Sequence, residues 1–307
     1  IIMHESVLLK ESIDSLNLKE DSIIVDCTLG YGGHSSEILK RIPKGFLYAF
    51  DQDIDAINYS RERLSKIGDN FLIIKSNFNN IKEELEKVGV TKVDGILYDL
   101  GVSSPQLDQG DRGFSFHQDA RLDMRMDKSA SLDAYYVVNN YSVSDLTRIF
   151  KEYGEEKFAF PIAKKIDSER KSKNIETTLE LVDIIKSAVP FKYQREHHPA
   201  RKVFQAIRIE VNHELDVFDH SLRNALTLLN VNGRICVITF HSLEDKICKN
   251  IYNEVSKLDD AMLDLPVIPD SYLKDFKVIK TFKPSNLELE NNNRSRSSKL
   301  RVIEKIR

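Results

Sequence analysis

The residues of this chain that could do chemistry gather just after strand-like runs. Val93-Asp94-Gly95-Ile96-Leu97-Tyr98 has the composition of a buried strand, and it ends on the carboxylate of Asp99. In an open α/β sheet, ligands sit beyond the carboxyl ends of the strands, so Asp99 is placed to meet one. The stretch that follows, to residue 126, is rich in Gly, Pro, Ser, Asp and Arg, which suits a loop over a pocket better than a core element. An earlier run ends in Asp26-Cys27-Thr28-Leu29-Gly30-Tyr31-Gly32-Gly33-His34-Ser35. Glycines there allow a sharp turn that brings backbone N–H groups against a ligand at the next helix N-terminus. Asp51 closes the following run, 21 residues after Gly30, where an acid can take two ribose hydroxyls. A dinucleotide fingerprint would need glycine at position 35, which is Ser35. The motif points to a nucleotide-like cofactor and leaves NAD and S-adenosylmethionine both open.

Alternating elements must position these residues. Strands are predicted over 22–28, 46–51, 71–75 and 93–99, with helices near 35–41, 55–67 and 81–88 between them and one over 7–16 across an edge. That rhythm calls for a parallel sheet with helices on both faces. From 108 to 199 it stops: amphipathic segments over 132–139, 144–153, 155–170 and 177–189 read as a separate helical lobe. The last opens on Thr177-Thr178-Leu179-Glu180, a capping-box pattern. A single long helix is predicted over 200–229, after which Asn232-Gly233 turns the chain into a strand at 234–240. His241 to Asp245 starts another helix, and strands over 276–282 and 299–306, joined by a polar basic loop, complete the sheet. The domain reading is α/β: residues 1–107 and 200–307 form the sheet domain, and 108–199 form an inserted helical domain.

A chain of 307 residues with 41% hydrophobic content can bury a sizeable core, and its net charge of −3 argues against a generally basic, sticky protein. No apolar run long enough for a membrane span and no charged-then-apolar leader is present, and Ile1 stands where a Met would start a natural chain. Cys27, Cys236 and Cys248 lack paired spacing, which suits buried thiols in a reducing cytoplasm. The eight histidines form no ligand cluster, so no metal is expected.

Six ordered blocks closely resemble one family. They are 26–35, 99–126, Tyr153-Gly154-Glu155-Glu156, 198–212 with Phe204-Gln205-Ala206-Ile207-Arg208-Ile209, Phe240-His241-Ser242-Leu243-Glu244-Asp245, and 294–301. The family is the RsmH (MraW) N4-cytosine methyltransferases of 16S ribosomal RNA. The resemblance implies a Rossmann-like class I methyltransferase sheet of seven strands with an all-helical insertion for RNA recognition. It implies S-adenosylmethionine as cofactor, lined by Gly30, Gly32, Gly33 and His34, held at its ribose by Asp51 and enclosed by Phe78, Asp99 and Gln106. Asp99 would also act catalytically, as acceptor for the cytosine amine. The implied target is cytosine 1402, near the decoding centre of the small ribosomal subunit, in the cytoplasm; a homodimer is compatible with the sequence.

The chain departs from the family pattern at Ser6, Ala120-Arg121, Arg201-Lys202 and Asn293, and no Pro-Pro-aromatic follows Asp99 as in other amino-methyltransferases. Candidates for gripping RNA are Arg112, Phe114, Phe116, Arg121 and Arg125, with two basic patches besides. One holds Lys192, Arg195, Arg201, Lys202 and Arg208 beside His197 and His198; the other holds Arg294, Arg296, Lys299, Arg301, Lys305 and Arg307 against one acid, Glu304. The alternative readings are an NAD-dependent oxidoreductase, disfavoured by Ser35, and a noncatalytic RNA-binding factor.

Overall fold

Continuous apolar runs bounded by turn residues become the strands of a sheet covered on both faces. The computed structural model describes residues 5–307. In chain order the elements are α1 (Leu9–Ser15), β1 (Ile23–Asp26), α2 (Gly33–Arg41), β2 (Phe46–Asp51), α3 (Ile54–Ser65), β3 (Phe71–Lys75), α4 (Ile81–Lys87) and β4 (Val93–Asp99). Next come α5 (Ser104–Asp108), α6 (Ala134–Asn140), α7 (Val143–Glu152), α8 (Ala159–Arg170), α9 (Thr178–Ala188), α10 (Phe191–Glu196), α11 (Arg201–Asn212) and α12 (Glu214–Leu228). The chain finishes with β5 (Leu229–Thr239), α13 (Ser242–Ser256), α14 (Asp260–Leu263), β6 (Phe276–Phe282), α15 (Asn286–Asn291) and β7 (Lys299–Lys305). No helix among the described residues is long and apolar enough to cross a membrane.

The chain divides into two compact units, one made of the residues up to Gly101 with Leu215–Arg307, the other of Val102–Glu214. The first carries a seven-stranded sheet in the order β3-β2-β1-β4-β5-β7-β6. β1 to β5 run parallel, and β7 pairs antiparallel with both β5 and β6. Strand order reverses between β1 and β4, the switch point where open α/β sheets form a crevice. Successive residues take opposite faces: Val25, Tyr98 and Val237 join one buried cluster, Ile24, Leu97 and Ile238 the other. Burial on both faces explains why these strands read as unbroken apolar runs. β6, on the edge, is largely exposed and carries Lys277 and Lys280, the charge that blunts an edge strand.

Two predicted features differ. The Asn232-Gly233 turn is a bulge inside β5: pairing with β4 jumps from Val93↔Leu229 to Gly95↔Arg234, and Asn232 takes φ 69°. Asp94 anchors it, one carboxylate oxygen accepting from Asn230 Nδ2 at 3.0 Å and the other from the Ile23 amide at 2.9 Å. The single helix over 200–229 is two, broken where His213 turns left-handed at φ 50°. Asn212 supports the break, donating to the Met124 carbonyl and accepting from the Met126 amide, both at 2.9 Å.

The second unit is helical, with Ile149, Phe150, Ile162, Leu181, Val203 and Ile207 in its core. α11 belongs here because its buried face (Val203, Phe204, Ala206, Ile207 and Val211) joins this core; the helical unit therefore extends past residue 199, to Glu214. Gly154, after α7, has no room for a side chain: a Cβ would lie 2.6 Å from the Lys202 carbonyl oxygen and 2.7 Å from that of Phe150. Gly154→Ala must push backbone apart and should cost about 1–3 kcal/mol. Thermal unfolding checks this, and an unchanged Tm would show that the contact yields freely.

Candidate active site

The turn after β1 is tied at both ends by one buried carboxylate. Asp26 accepts from the Thr28 amide at 3.0 Å with one oxygen and from Ser35 Oγ at 2.6 Å with the other. Burial raises its pKa above the ordinary carboxylate range, and these hydrogen bonds oppose the shift. Gly32 caps α2 with φ 83°, a conformation side chains disfavour. Ser60 Oγ donates to the Gly30 carbonyl at 2.6 Å, fastening the turn to α3. Thr28 Oγ1 accepts from the Asp99 amide at 2.6 Å, so the first turn also fixes the end of β4.

Asp51 closes β2 against that turn. Its oxygens accept from the Gly30 amide at 2.8 Å and the Asp53 amide at 2.9 Å. Burial lifts its pKa to about 6, against the pull of those amides. Asp53 caps α3 through the Asp55 amide at 3.0 Å. Beyond β3, Phe78 sets its ring edge-on to Tyr98, centroids 5.4 Å apart, and its carbonyl accepts from Ser221 Oγ at 2.8 Å. Asn77 Nδ2 donates to Gln52 Oε1 at 3.1 Å, joining the ends of β2 and β3.

Asp99 is the most perturbed acid at this edge. Burial, then the neighbouring Asp26 and Glu244, push it to about 8. Its side chain keeps 27% of its surface open, so a ligand can reach it. His34 Nδ1 stands 3.6 Å from Asp99 Oδ2, and burial pulls this imidazole down to about 4, leaving it neutral at neutral pH. The block after β5 braces the same corner. Glu244, 3% exposed, accepts from the Phe240 amide at 3.0 Å, and the Phe240 ring lies 3.4 Å from where a Gly101 Cβ would be. The sequence signal for this role is an acid one helical turn after a strand end, Glu244 after Thr239.

Gly30, Gly32, Gly33, His34, Asp51, Phe78 and Asp99 thus all stand at the carboxyl ends of β1 to β4. Gln106 lies in the helical unit, where its side chain accepts from the Ser103 amide at 3.1 Å and completes a capping box for α5. The arrangement can hold a cationic, hydroxyl-bearing ligand. Acids line it, and Gly30, at φ 52°, leaves open space where a Cβ would meet only the Thr28 carbonyl oxygen, 4.0 Å away.

The RNA candidates separate. Arg112 and Phe114 are corrections: Arg112 is buried, donating to the Arg125 and Met126 carbonyls, and Phe114, 6% exposed, belongs to the helical core, so neither offers a face to a base. Arg301 is likewise engaged, its guanidinium forked on Asp245 at 2.7 and 3.0 Å. Arg125 pairs with Asp123 at 2.8 Å and Lys202 donates to the Glu155 carbonyl at 3.3 Å. Arg121 pairs with Asp133 at 2.9 Å while keeping 55% of its side chain exposed. Arg294 is half-buried in the turn before β7; Arg201 and Arg296 are exposed.

The MraW methylase family matches residues 1–306. The chain is 54% identical over 307 residues to the ribosomal RNA small subunit methyltransferase H of Exiguobacterium sibiricum, covering 99% of this chain and 98% of that protein. It is also similar to an rRNA methylase structure from Streptococcus thermophilus, at 13% identity and a TM-score of 0.46, covering 100% of this chain and 99% of that one. The chain belongs to the MraW methylase family, whose methyl transfer depends on S-adenosylmethionine.

Proposed function

We propose that this protein methylates N4 of one cytosine in the 16S RNA of the small ribosomal subunit, in the cytoplasm, with S-adenosylmethionine as donor. The observation that carries the proposal is the pairing of Asp51 and Asp99 on either side of the glycine turn, at the reversal of strand order. Asp51 would take the ribose hydroxyls, Gly30 to Gly33 would let the ligand approach the backbone, and Phe78 would flank it. When bound, the donor supplies an electrophilic methyl on a cationic sulfur.

Cytosine N4 is a poor nucleophile because its lone pair is delocalised into the ring. An acceptor beside the amine draws density onto nitrogen and takes the proton released after attack. Asp99, partly open and held at its amide by Thr28, would be that acceptor. In the helical unit, Arg121 and Arg201 keep cationic surface toward solvent for phosphate contacts. Incubation with labelled donor followed by mass mapping of nucleosides on small-subunit RNA tests the proposal: one N4-methylated cytidine is expected, and label confined to another base or to protein would overturn it.

The titratable groups facing Asp99 are Asp26 from β1, Glu244 from α13 and the neutral imidazole of His34 from α2. Glu244→Gln removes a negative neighbour while keeping an acceptor for the Phe240 amide, so Asp99 ionises more readily. The rise of the single-turnover rate with pH should therefore shift to lower pH. A profile that stays in place would show that Glu244 does not act on Asp99.

A further inference from the structure

An exposed ring stands in the helical unit beside two cations of the first basic patch, Lys192 and Arg195. Phe191, the first residue of α10, is 73% exposed, the most open aromatic side chain among the described residues. A single exposed apolar residue is ordinary; its setting is not. Lys192 follows it and Arg195 lies one helical turn on, the i,i+4 neighbour on the same face. Both are exposed, and neither has an ion-pair partner among the described residues. The rest of α10 is fastened down. Tyr193 is buried, its hydroxyl donating to the Glu156 carboxylate at 3.1 Å, and Gln194 Nε2 donates to the Lys186 carbonyl at 2.7 Å. The ring is therefore presented by a rigid support. Lys186 also links α10 to a second set of rings: its charge helps burial and His117 hold the His198 imidazole below its ordinary pKa, and His198 lies against Phe116 with centroids 4.4 Å apart.

We propose that the face of α10 bearing Phe191, Lys192 and Arg195 is a stacking subsite for an unpaired nucleotide of the RNA substrate. An open ring gives a base its π-face, and flanking cations meet the phosphates on either side. The charge favours a polyanion over a second copy of this acidic chain: α10 carries two cations against one acid, Glu196. The subsite rests on the rRNA reading above.

The test uses the full chain with donor bound, measuring affinity for a single-stranded fragment of small-subunit RNA by fluorescence anisotropy across a salt series. Phe191→Ala should weaken binding about tenfold, as expected for losing one stacked base. Phe191→Trp should restore it, with donor affinity and Tm unchanged throughout. Lys192→Ala with Arg195→Ala should reduce the salt slope by about 1.4. Phe191→Ala binding within about twofold of wild type, or a Phe191→Trp variant as weak as the alanine, would overturn the subsite. A dimer that Phe191→Ala dissociates, with RNA affinity intact, would assign the ring to a second copy instead. Should the wild type bind no RNA, the rRNA reading itself fails and the subsite with it; loss confined to the variants separates the two.

Discussion

Asp99→Asn is expected to lower the single-turnover rate of methyl transfer by about 10²–10⁴-fold, the range lost with a positioned acid or base. The amide keeps the shape and an acceptor oxygen, so donor binding should survive while proton acceptance does not. The wild-type rate should also rise with pH. Asp99 is pushed to about 8 by burial and by Asp26 and Glu244, so below that pH most of the enzyme carries a proton where the acceptor must be. A bound cationic donor favours the ionised carboxylate, so in the ternary complex the rise falls below pH 8. The asparagine variant should show no such limb. Rapid-quench single turnovers from pH 6 to 9 check both points. An Asp99→Asn enzyme retaining most of its rate would leave Asp99 as a cofactor contact only.

Asp51→Ala is expected to weaken S-adenosylmethionine binding by about ten- to a hundredfold. A hydrogen bond to a charged group contributes about 1.5–3 kcal/mol, and each 1.4 kcal/mol is a factor of ten. Two effects combine: the ribose loses its acceptor, and the Gly30 and Asp53 amides lose theirs, loosening the turn. Because Asp51 titrates near 6, wild-type affinity should fall as pH drops through that value. Calorimetry with the folded variant, its Tm measured alongside, checks this; unchanged affinity would remove Asp51 from the site.

The strand ends were legible because their chemistry is local. A buried parallel strand reads as an apolar run, and Asp51 and Asp99 terminate two of them, 46–50 and 93–98. Features decided by distant partners were not. Asn232-Gly233 reads as a turn, yet Asp94 on the neighbouring strand holds it as a bulge. His213 interrupts a helical pattern because Asn212 is bonded to the chain around Met124. Phe114 and Arg112 look like a base-stacking pair in sequence, but their loop folds into the helical core, and an Arg with two backbone carbonyls to satisfy is no longer free for phosphate. Phe191 shows the converse: its sequence carries no signal that sets it apart, and its exposure emerges only when α10 folds with Tyr193 buried. Glu244 became interpretable only with the coordinates, which place it under Phe240, against the chain that follows Asp99.

The most direct test of the account is a crystal structure with S-adenosylhomocysteine bound. The prediction is a ligand lying across the ends of β1, β2 and β4, its ribose hydroxyls on the Asp51 carboxylate and its sulfur toward Asp99. Side chains filling that crevice, or the ligand bound elsewhere on the molecule, would contradict it.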